Sequence, residues 1–463
     1  MRPILLIDFG STYTKLTAVD VEGETILGTA ASYTTVQTDI GDGLRKGLQL
    51  LEEKTGKLDY EKTYACSSAA GGLRMVASGL VPELTSEAAK LASLGAGAKI
   101  VGLYSYQMTE EDIEEIGRLR PDIFLLVGGT DGGNTACIEH NAKLLATMNP
   151  KFPIVIAGNR NAARQCKEYL AECETYVCPN VMPKFGVLNI EPTQKQIREI
   201  FLNKIIQAKG LSKAAELLSD IMMPTPSAVM AAMELLSEGC EGESGIGDLI
   251  AVDVGGATTD IYSMADGMPE GMNTVFKGIP EPFAKRTVEG DIGMRYSVHG
   301  ILEAVGADRL SKISGIRRSR VEELVAWLRE HTDSVPDGNE ELERLDHALA
   351  SMAIETAVAR HAGTMEETYT MMGLTYVQTG KNLTHVKQIV VTGGSLIHTK
   401  DTAAIAKYAQ YSPAQPMSLR PKNADIWVDR SYILAAMGLL SKHYPQVALR
   451  IMKKELEHYG HSE

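Results

Sequence analysis

The sequence predicts a mixed α/β protein of two lobes, with a parallel α/β subdomain inserted into the first. Three observations predict it. One plan (apolar strand, aspartate, glycine turn, hydroxyl residues, second strand) occurs at IDFGSTYTKLT (7–17) and again at VDVGGATTDIY (252–262). Between the two, from about 63 to 181, apolar runs alternate with amphipathic stretches, the order of a parallel sheet covered on both faces. The chain has 463 residues, 44% hydrophobic and 23% charged, a globular balance with room for more than one domain.

Along the chain, ILLIDFG, TKLTAVD and ETILGTAAS read as consecutive antiparallel strands, and a helix follows near 42–56. The next strands are KIVGLYSY, DIFLLVGGT, PIVIAGN and TYVCPN, with helices EEDIEEIGRL, CIEHNAKLLATM and NAARQCKEYLAE between them. Residues 194–220 read as helical, and MMPTPSAVMAAMELLSEG as a helix that opens on prolines. Residues 300–377 read as largely helical, KQIVVTGGSLI as a strand into a glycine turn, and DRSYILAAMGLLSKHY as a final helix before a polar tail. The expected divisions are 1–62 (first lobe), 63–193 (insertion), 194–240 (helical segment and first connecting helix), 241–425 (second lobe) and 426–463 (second connecting helix and tail).

Charge and composition exclude several classes. A net charge of -13 repels phosphate backbones and anionic membranes. No apolar run is long enough for a membrane span, and MRPILLIDFG meets Asp8 too early for a signal peptide, so a cytoplasmic location is expected. The six cysteines show no CxxC pair or metal-site rhythm and read as reduced thiols.

Three segments carry chemistry. In the first, Asp8 ends a buried strand, and Gly10 permits a tight hairpin. The backbone amides of Gly10, Ser11, Thr12 and Tyr13 then form a nest for phosphate oxygens, with hydroxyls adding donors and Lys15 adding charge. Asp8 is suited to Mg²⁺ through water, because that ion keeps part of its shell. In the second, Asp253 ends the run LIAV, Gly255 and Gly256 allow close approach of an anion, and Ala257, Thr258, Thr259 and Asp260 follow. In the third, IVVTGGSLI, the pair Gly393 and Gly394 before Ser395 leaves room for a flat ring or a ribose. Each alone reads equally well as an ordinary turn; the ordered set is the signal. The GxxxxGK[ST] pattern of P-loop proteins is absent.

That set resembles the phosphate-1, phosphate-2 and adenosine motifs of the actin, Hsp70 and sugar-kinase ATPase superfamily. PTPSAVMAAMELL and RSYILAAMGLL resemble its two connecting helices, where small residues (Ala228, Ala231, Ala232, Ala435, Ala436, Gly438) allow a close crossing. TVEGDIGMRYS resembles the segment that follows the second phosphate loop. The fold so implied is actin-like: two ribonuclease-H-like lobes around a nucleotide cleft. Within the superfamily, CSSAAGGLRM (66–75), LVPELTSEAAKLASLGAGAK (80–99), LLVGGTDGGN (125–134) and VEGDIGMR (288–295) resemble the glutamate mutase accessory protein family, the MutL type also called GlmL.

The resemblance implies an ATP- and Mg²⁺-binding accessory protein, a weak ATPase whose output is motion. Its expected partners are subunits of an adenosylcobalamin-dependent mutase, which it would reactivate as a chaperone, with a homodimer as the assembly considered. ATP and Mg²⁺ would bridge the lobes through Asp8, Ser11, Thr12, Asp253, Gly255, Gly256 and Thr258, with Asp8, Asp131 and Asp260 as candidates for the water-positioning base. Asp131 sits in a glycine-rich loop at a strand's carboxyl end, where parallel sheets gather ligands. The rival readings are a small-molecule kinase with Asp131 as acceptor base, a filament-forming scaffold, and an iron–sulfur activator of radical dehydratases. The last lacks a cysteine just before VDVGG. The DxHxxG cobalamin signature is also missing.

Overall fold

A computed structural model describes residues 1–10, 13–33, 40–68, 73–208, 220–271, 273–371, 373–397, 399 and 401–460. It forms two compact units, Met1–Ala231 with Ala435–Ala448, and Ala232–Leu434 with Leu449–Glu463.

The first unit opens with β1 (Pro3–Phe9), β2 (Tyr13–Asp20) and β3 (Thr25–Tyr33), then α1 (Ile40–Thr55) and β4 (Lys62–Ser67). β1 is buried along its whole length, so it reads as a continuous apolar run rather than an alternating one. The inserted layer follows: β5 (Leu73–Gly79), α2 (Glu87–Gly95), β6 (Ala98–Ser105), α3 (Glu110–Leu119), β7 (Ile123–Leu126), α4 (Ala136–Thr147), β8 (Ile154–Ile156), α5 (Arg160–Tyr169), β9 (Thr175–Val177) and α6 (Glu191–Ala208). The chain then returns through β10 (Asp220–Pro224) into α7 (Thr225–Glu238).

The lobe sheet has the order β10-β4-β1-β2-β3 and the inserted sheet the order β6-β5-β7-β8-β9. All pairings in the inserted sheet are parallel. β4 pairs in parallel with β1 and therefore belongs to the lobe, so the inserted sheet starts at β5 rather than at 63. Capping follows the sequence chemistry. Thr109 and Asp112 close a reciprocal capping box on α3. The expected helix over 194–220 is α6 up to Ala208; 209–219 lie outside the described residues, and 220–224 is strand.

The second unit carries a short ribbon, β11 (Gly239–Cys240) and β12 (Glu243–Ser244), then β13 (Leu249–Val254), β14 (Thr259–Met264), β15 (Thr274–Lys277) and β16 (Ala284–Glu289). Helices α8 (Val298–Val305), α9 (Ala307–Ser314), α10 (Arg318–Glu330) and α11 (Glu340–His361) pack over the sheet and hold its main core. Next come β17 (Thr364–Thr370), β18 (Gly373–Thr379), β19 (Gln388–Thr392), α12 (Gly394–Ile397), α13 (Thr402–Ala406) and β20 (Asp425–Val428). The chain ends with α14 (Leu434–Leu440), α15 (Pro445–Glu455) and β21 (Glu457–Tyr459).

Two stretches depart from the sequence reading. Residues 364–379 form an antiparallel hairpin beside β15, not helix. The polar tail contains α15, which buries Ala448, Leu449, Ile451 and Met452.

The second sheet has the order β16-β14-β13-β19-β20-β21. Its first three strands are antiparallel neighbours, and β19 and β20 run parallel to β13. The first lobe repeats this plan: β1, β2 and β3 are antiparallel neighbours, and β4 and β10 run parallel to β1. The recurring sequence plan is thus a recurring topology. The fold is the actin-like α/β fold of ATPases and sugar kinases, with a parallel α/β subdomain inserted.

Candidate nucleotide site

In each unit the site begins where the central strand ends. In the first, the Gly10 amide donates to the Tyr13 carbonyl at 3.1 Å, closing the β1–β2 turn. A Cβ at Gly10 would lie 2.5 Å from that oxygen, so only glycine fits. In the second, the Gly255 amide donates to the Thr258 carbonyl at 2.9 Å. The aspartate stands two residues before the glycine in both. Ser11 and Thr12 lie outside the described residues.

The second turn is backed by segment 289–297. The Gly255 carbonyl accepts from the Met294 amide at 3.0 Å, and the Gly256 carbonyl accepts from Arg295 at 2.8 Å and Tyr296 at 2.9 Å. In a planar trans peptide the N–H points opposite the carbonyl. The amides of Gly256 and Ala257 therefore point away from this segment, as an anion nest requires. Gly293 is needed there, since its Cβ would sit 2.5 Å from the Ala257 carbonyl carbon. Thr259 is buried and donates to the Ile292 carbonyl at 3.0 Å, so its hydroxyl is structural. Arg295, 9% exposed, is fastened to Asp346 at 2.6 and 3.0 Å.

Gly393 comes to the same place. Its φ is +119°, and a Cβ on it would lie 2.3 Å from the Val254 carbonyl oxygen. Gly393 therefore packs against the end of β13, beside the second turn, while the place a Cβ would take on Gly394 is open. The Ser395 side chain lies outside the described residues.

Asp8 is 6% exposed and well anchored. Its Oδ1 accepts from the Thr225 hydroxyl at 2.6 Å, with the Cys66 thiol at 3.5 Å, and its Oδ2 lies 3.6 Å from the Lys15 ammonium. Burial, then the Asp8 charge, push the Cys66 thiol well above its usual range, so it stays protonated and can donate. Thr225 was not singled out in the sequence. Its only signal was its place in PTPS at the start of a helix, and its partner stands 217 positions away. Asp253 faces Asp260 and Thr392 across the ladders. Buried Asp429, also missed, holds Thr392 at 3.1 Å and caps α14 through the Ile433 amide at 3.0 Å.

The other two carboxylates have scaffold partners. Asp260 Oδ1 accepts from Arg286 Nε at 2.9 Å and Nη2 at 2.5 Å, and its Oδ2 accepts from the Thr258 hydroxyl at 3.3 Å. Asp131 stands on the inserted sheet, not on the sheet of Asp8. Its Oδ1 accepts from the Arg160 amide and from Asn180 Nδ2, each at 3.0 Å, and so caps α5. Buried Asn159 completes that lock, donating to the Gly133 and Asn134 carbonyls at 3.1 and 3.2 Å.

The six cysteines are free thiols, and no group of metal-ligating side chains of three or more occurs among the described residues. No helix among them is long and apolar enough to cross a membrane.

Among solved structures, the chain is similar to an activator of 2-hydroxyisocaproyl-CoA dehydratase from Clostridium difficile with bound ADPNP (10% identity, 99% of this chain, 100% of that one, TM-score 0.35). It is also similar to a ligand-bound xylulose kinase from Lactobacillus acidophilus (11% identity, 99% and 93% covered, TM-score 0.36). Superpositions at this level are too loose to add to the topology above. The sequence comparison is decisive. A protein named MutL from Clostridium tetanomorphum is 49% identical over 460 residues, 98% of this chain and 99% of its own length. The model of the MutL protein family matches residues 4–456, and the chain belongs to that family.

Proposed function

We propose that the protein binds and slowly hydrolyses ATP, and that it uses the cycle to reactivate an adenosylcobalamin-dependent mutase such as glutamate mutase (methylaspartate mutase) or an aminomutase. The observation that carries the reading is the repeated turn. Two sheets of one topology end their central strands in an aspartate, and two residues later a glycine amide closes onto the carbonyl three positions on. Such paired turns suit one triphosphate, the first at Gly10–Lys15 and the second at Gly255–Thr259, with Gly393 and Gly394 against the nucleoside.

The donor set fits Mg²⁺. Asp8 and Asp253 offer hard oxygen ligands that can hold the ion through its water, and Mg²⁺ would neutralise phosphate charge. Loss of the γ-phosphate removes contacts from one turn and lets the units relax, which is the output the partner reads.

The inserted sheet supports a protein-facing role. Asp131, Asn134 and Asn159 accept from the first amides of α4 and α5 at its carboxyl edge, so these side chains are engaged in capping.

The test is direct. An inactivated mutase is incubated with fresh coenzyme and this protein, with and without ATP. ATP-dependent recovery of activity is expected; no recovery, with ATP binding intact, removes the reactivation role.

A further inference from the structure

We propose that Thr225 is a positioning residue for Asp8: it fixes the carboxylate so that Oδ2 alone is offered to a hydrated divalent cation. This rests on the nucleotide reading above and goes into the workings of the same site.

The argument begins with the sheet. β1, β4 and β10 are parallel neighbours, and their carboxyl ends lie side by side. Asp8 is paired with Cys66, and Cys66 with Met223, two residues before Thr225. The register therefore delivers a carboxylate, a thiol and a hydroxyl to one spot. Pro226 follows Thr225 in the first turn of α7, and the β-branch of threonine limits χ1. The hydroxyl is thus aimed by the backbone instead of by solvent.

The two oxygens of Asp8 are chemically different as a result. Oδ1 has two neutral donors, the Thr225 hydroxyl at 2.6 Å and the buried Cys66 thiol at 3.5 Å. The hydroxyl and thiol are themselves 3.7 Å apart, so the three groups form one closed cluster. Oδ2 has a cation instead, Lys15 Nζ at 3.6 Å, on a side chain that is 26% exposed. Oδ1 is thus held by neutral donors, and Oδ2 faces a cation.

With Oδ1 engaged by two donors, Oδ2 is the oxygen left for a hydrated divalent ion. An ion held there would take the place of the Lys15 ammonium, leaving Lys15 to face phosphate oxygens. Without Thr225 the carboxylate can rotate and Lys15 can bridge both oxygens, so the ion loses its preferred acceptor while the turn amides are untouched. The same threonine begins the helix that crosses α14. A Cβ at Gly438 would fall 1.8 Å from the Ala228 carbonyl oxygen, so α7 and α14 touch backbone to backbone one turn further on. The metal carboxylate is thereby tied to the helix crossing through one hydrogen bond.

The experiment uses the full chain with Thr225→Val, Thr225→Ser and Thr225→Ala. ATP is titrated by calorimetry with Mg²⁺ and, separately, in EDTA, and the melting temperature of each variant is recorded. The expected result is about a tenfold loss of affinity in Mg²⁺ for Thr225→Val, the weight of one hydrogen bond to a charged group, with affinity in EDTA unchanged. Thr225→Ser restores the Mg²⁺ affinity to within about twofold. Thr225→Ala takes the place of the valine variant if that one does not fold, with the same expected loss. Equal losses with and without Mg²⁺, no loss at all, or failure of serine to restore each overturn the positioning role alone. Absence of ATP binding by the unsubstituted chain overturns it together with the nucleotide reading.

Discussion

At the scale of single residues, the most consequential groups outside the site are buried and titratable. His361 is fully buried in the second unit. Its Nδ1 meets the Thr287 hydroxyl at 2.7 Å and its Nε2 the Ser263 hydroxyl at 2.8 Å. Burial, then the charges of Lys285 and Lys381, hold its pKa well below the usual imidazole value. The unfolded chain therefore takes up a proton near pH 6.5 that the folded chain refuses, so stability is lost as pH falls below that point. The loss is about 1.4 kcal/mol per pH unit at most.

Lys381 acts in the adjoining range. Buried, with its ammonium donating to the Phe283 and Ala265 carbonyls at 2.6 and 2.7 Å, it is pushed down to about 7 by burial and then by Lys285. Its folded pKa lies below the unfolded one, so it strengthens stability as pH rises from about 7 towards the unfolded lysine value near 10. Melting curves from pH 5 to 9 are expected to rise throughout. His361→Gln is expected to flatten the segment below pH 6.5 and to leave the segment above pH 7 in place. An unchanged slope below 6.5 in the variant would put the acid sensitivity elsewhere.

At the scale of elements, glycines with opposite surroundings give opposite outcomes. Gly438 lies where α14 meets α7, and a side chain there would strike the Ala228 carbonyl oxygen. Gly438→Val is expected to destabilise the first unit by about 3 kcal/mol, the upper end of overpacking costs, read from urea unfolding. Gly117 lies in the interior of α3, with open space around the place a Cβ would take. Gly117→Ala is expected to stabilise by about 1 kcal/mol through helix propensity alone. If both changes prove neutral, helix packing at the crossing is looser than the backbone distances imply.

The same scale shows where the sequence was informative. The β1–β2 and β13–β14 turns were legible because the same plan of aspartate, glycine and hydroxyl residues occurs twice, in order with the later glycine pair. The alternation from β5 to α5 was legible because buried parallel strands are continuous apolar runs. The β17–β18 hairpin was not. Its first strand is mostly exposed, so Glu366, Glu367 and Thr368 break the apolar alternation that marks a half-buried strand. The roles of Thr225 and Asp131 were illegible for another reason: their partners, Asp8, Asn180 and Arg160, are set by sheet register and loop closure, which no local pattern encodes.

At the scale of the whole molecule, the proposal is that the two turns of one plan, one in each unit, serve a single triphosphate. Among the described residues each unit presents one such turn, and Gly393 packs against the strand that leads into the second. One ATP per chain, dependent on both aspartates, is the signature of a shared site. The measurement is calorimetric titration of Mg-ATP into the full chain and into Asp8→Ala and Asp253→Ala. The account expects a stoichiometry of one, with either substitution lowering affinity by at least about a hundredfold. Two nucleotides per chain, or full affinity retained in either variant, would contradict it.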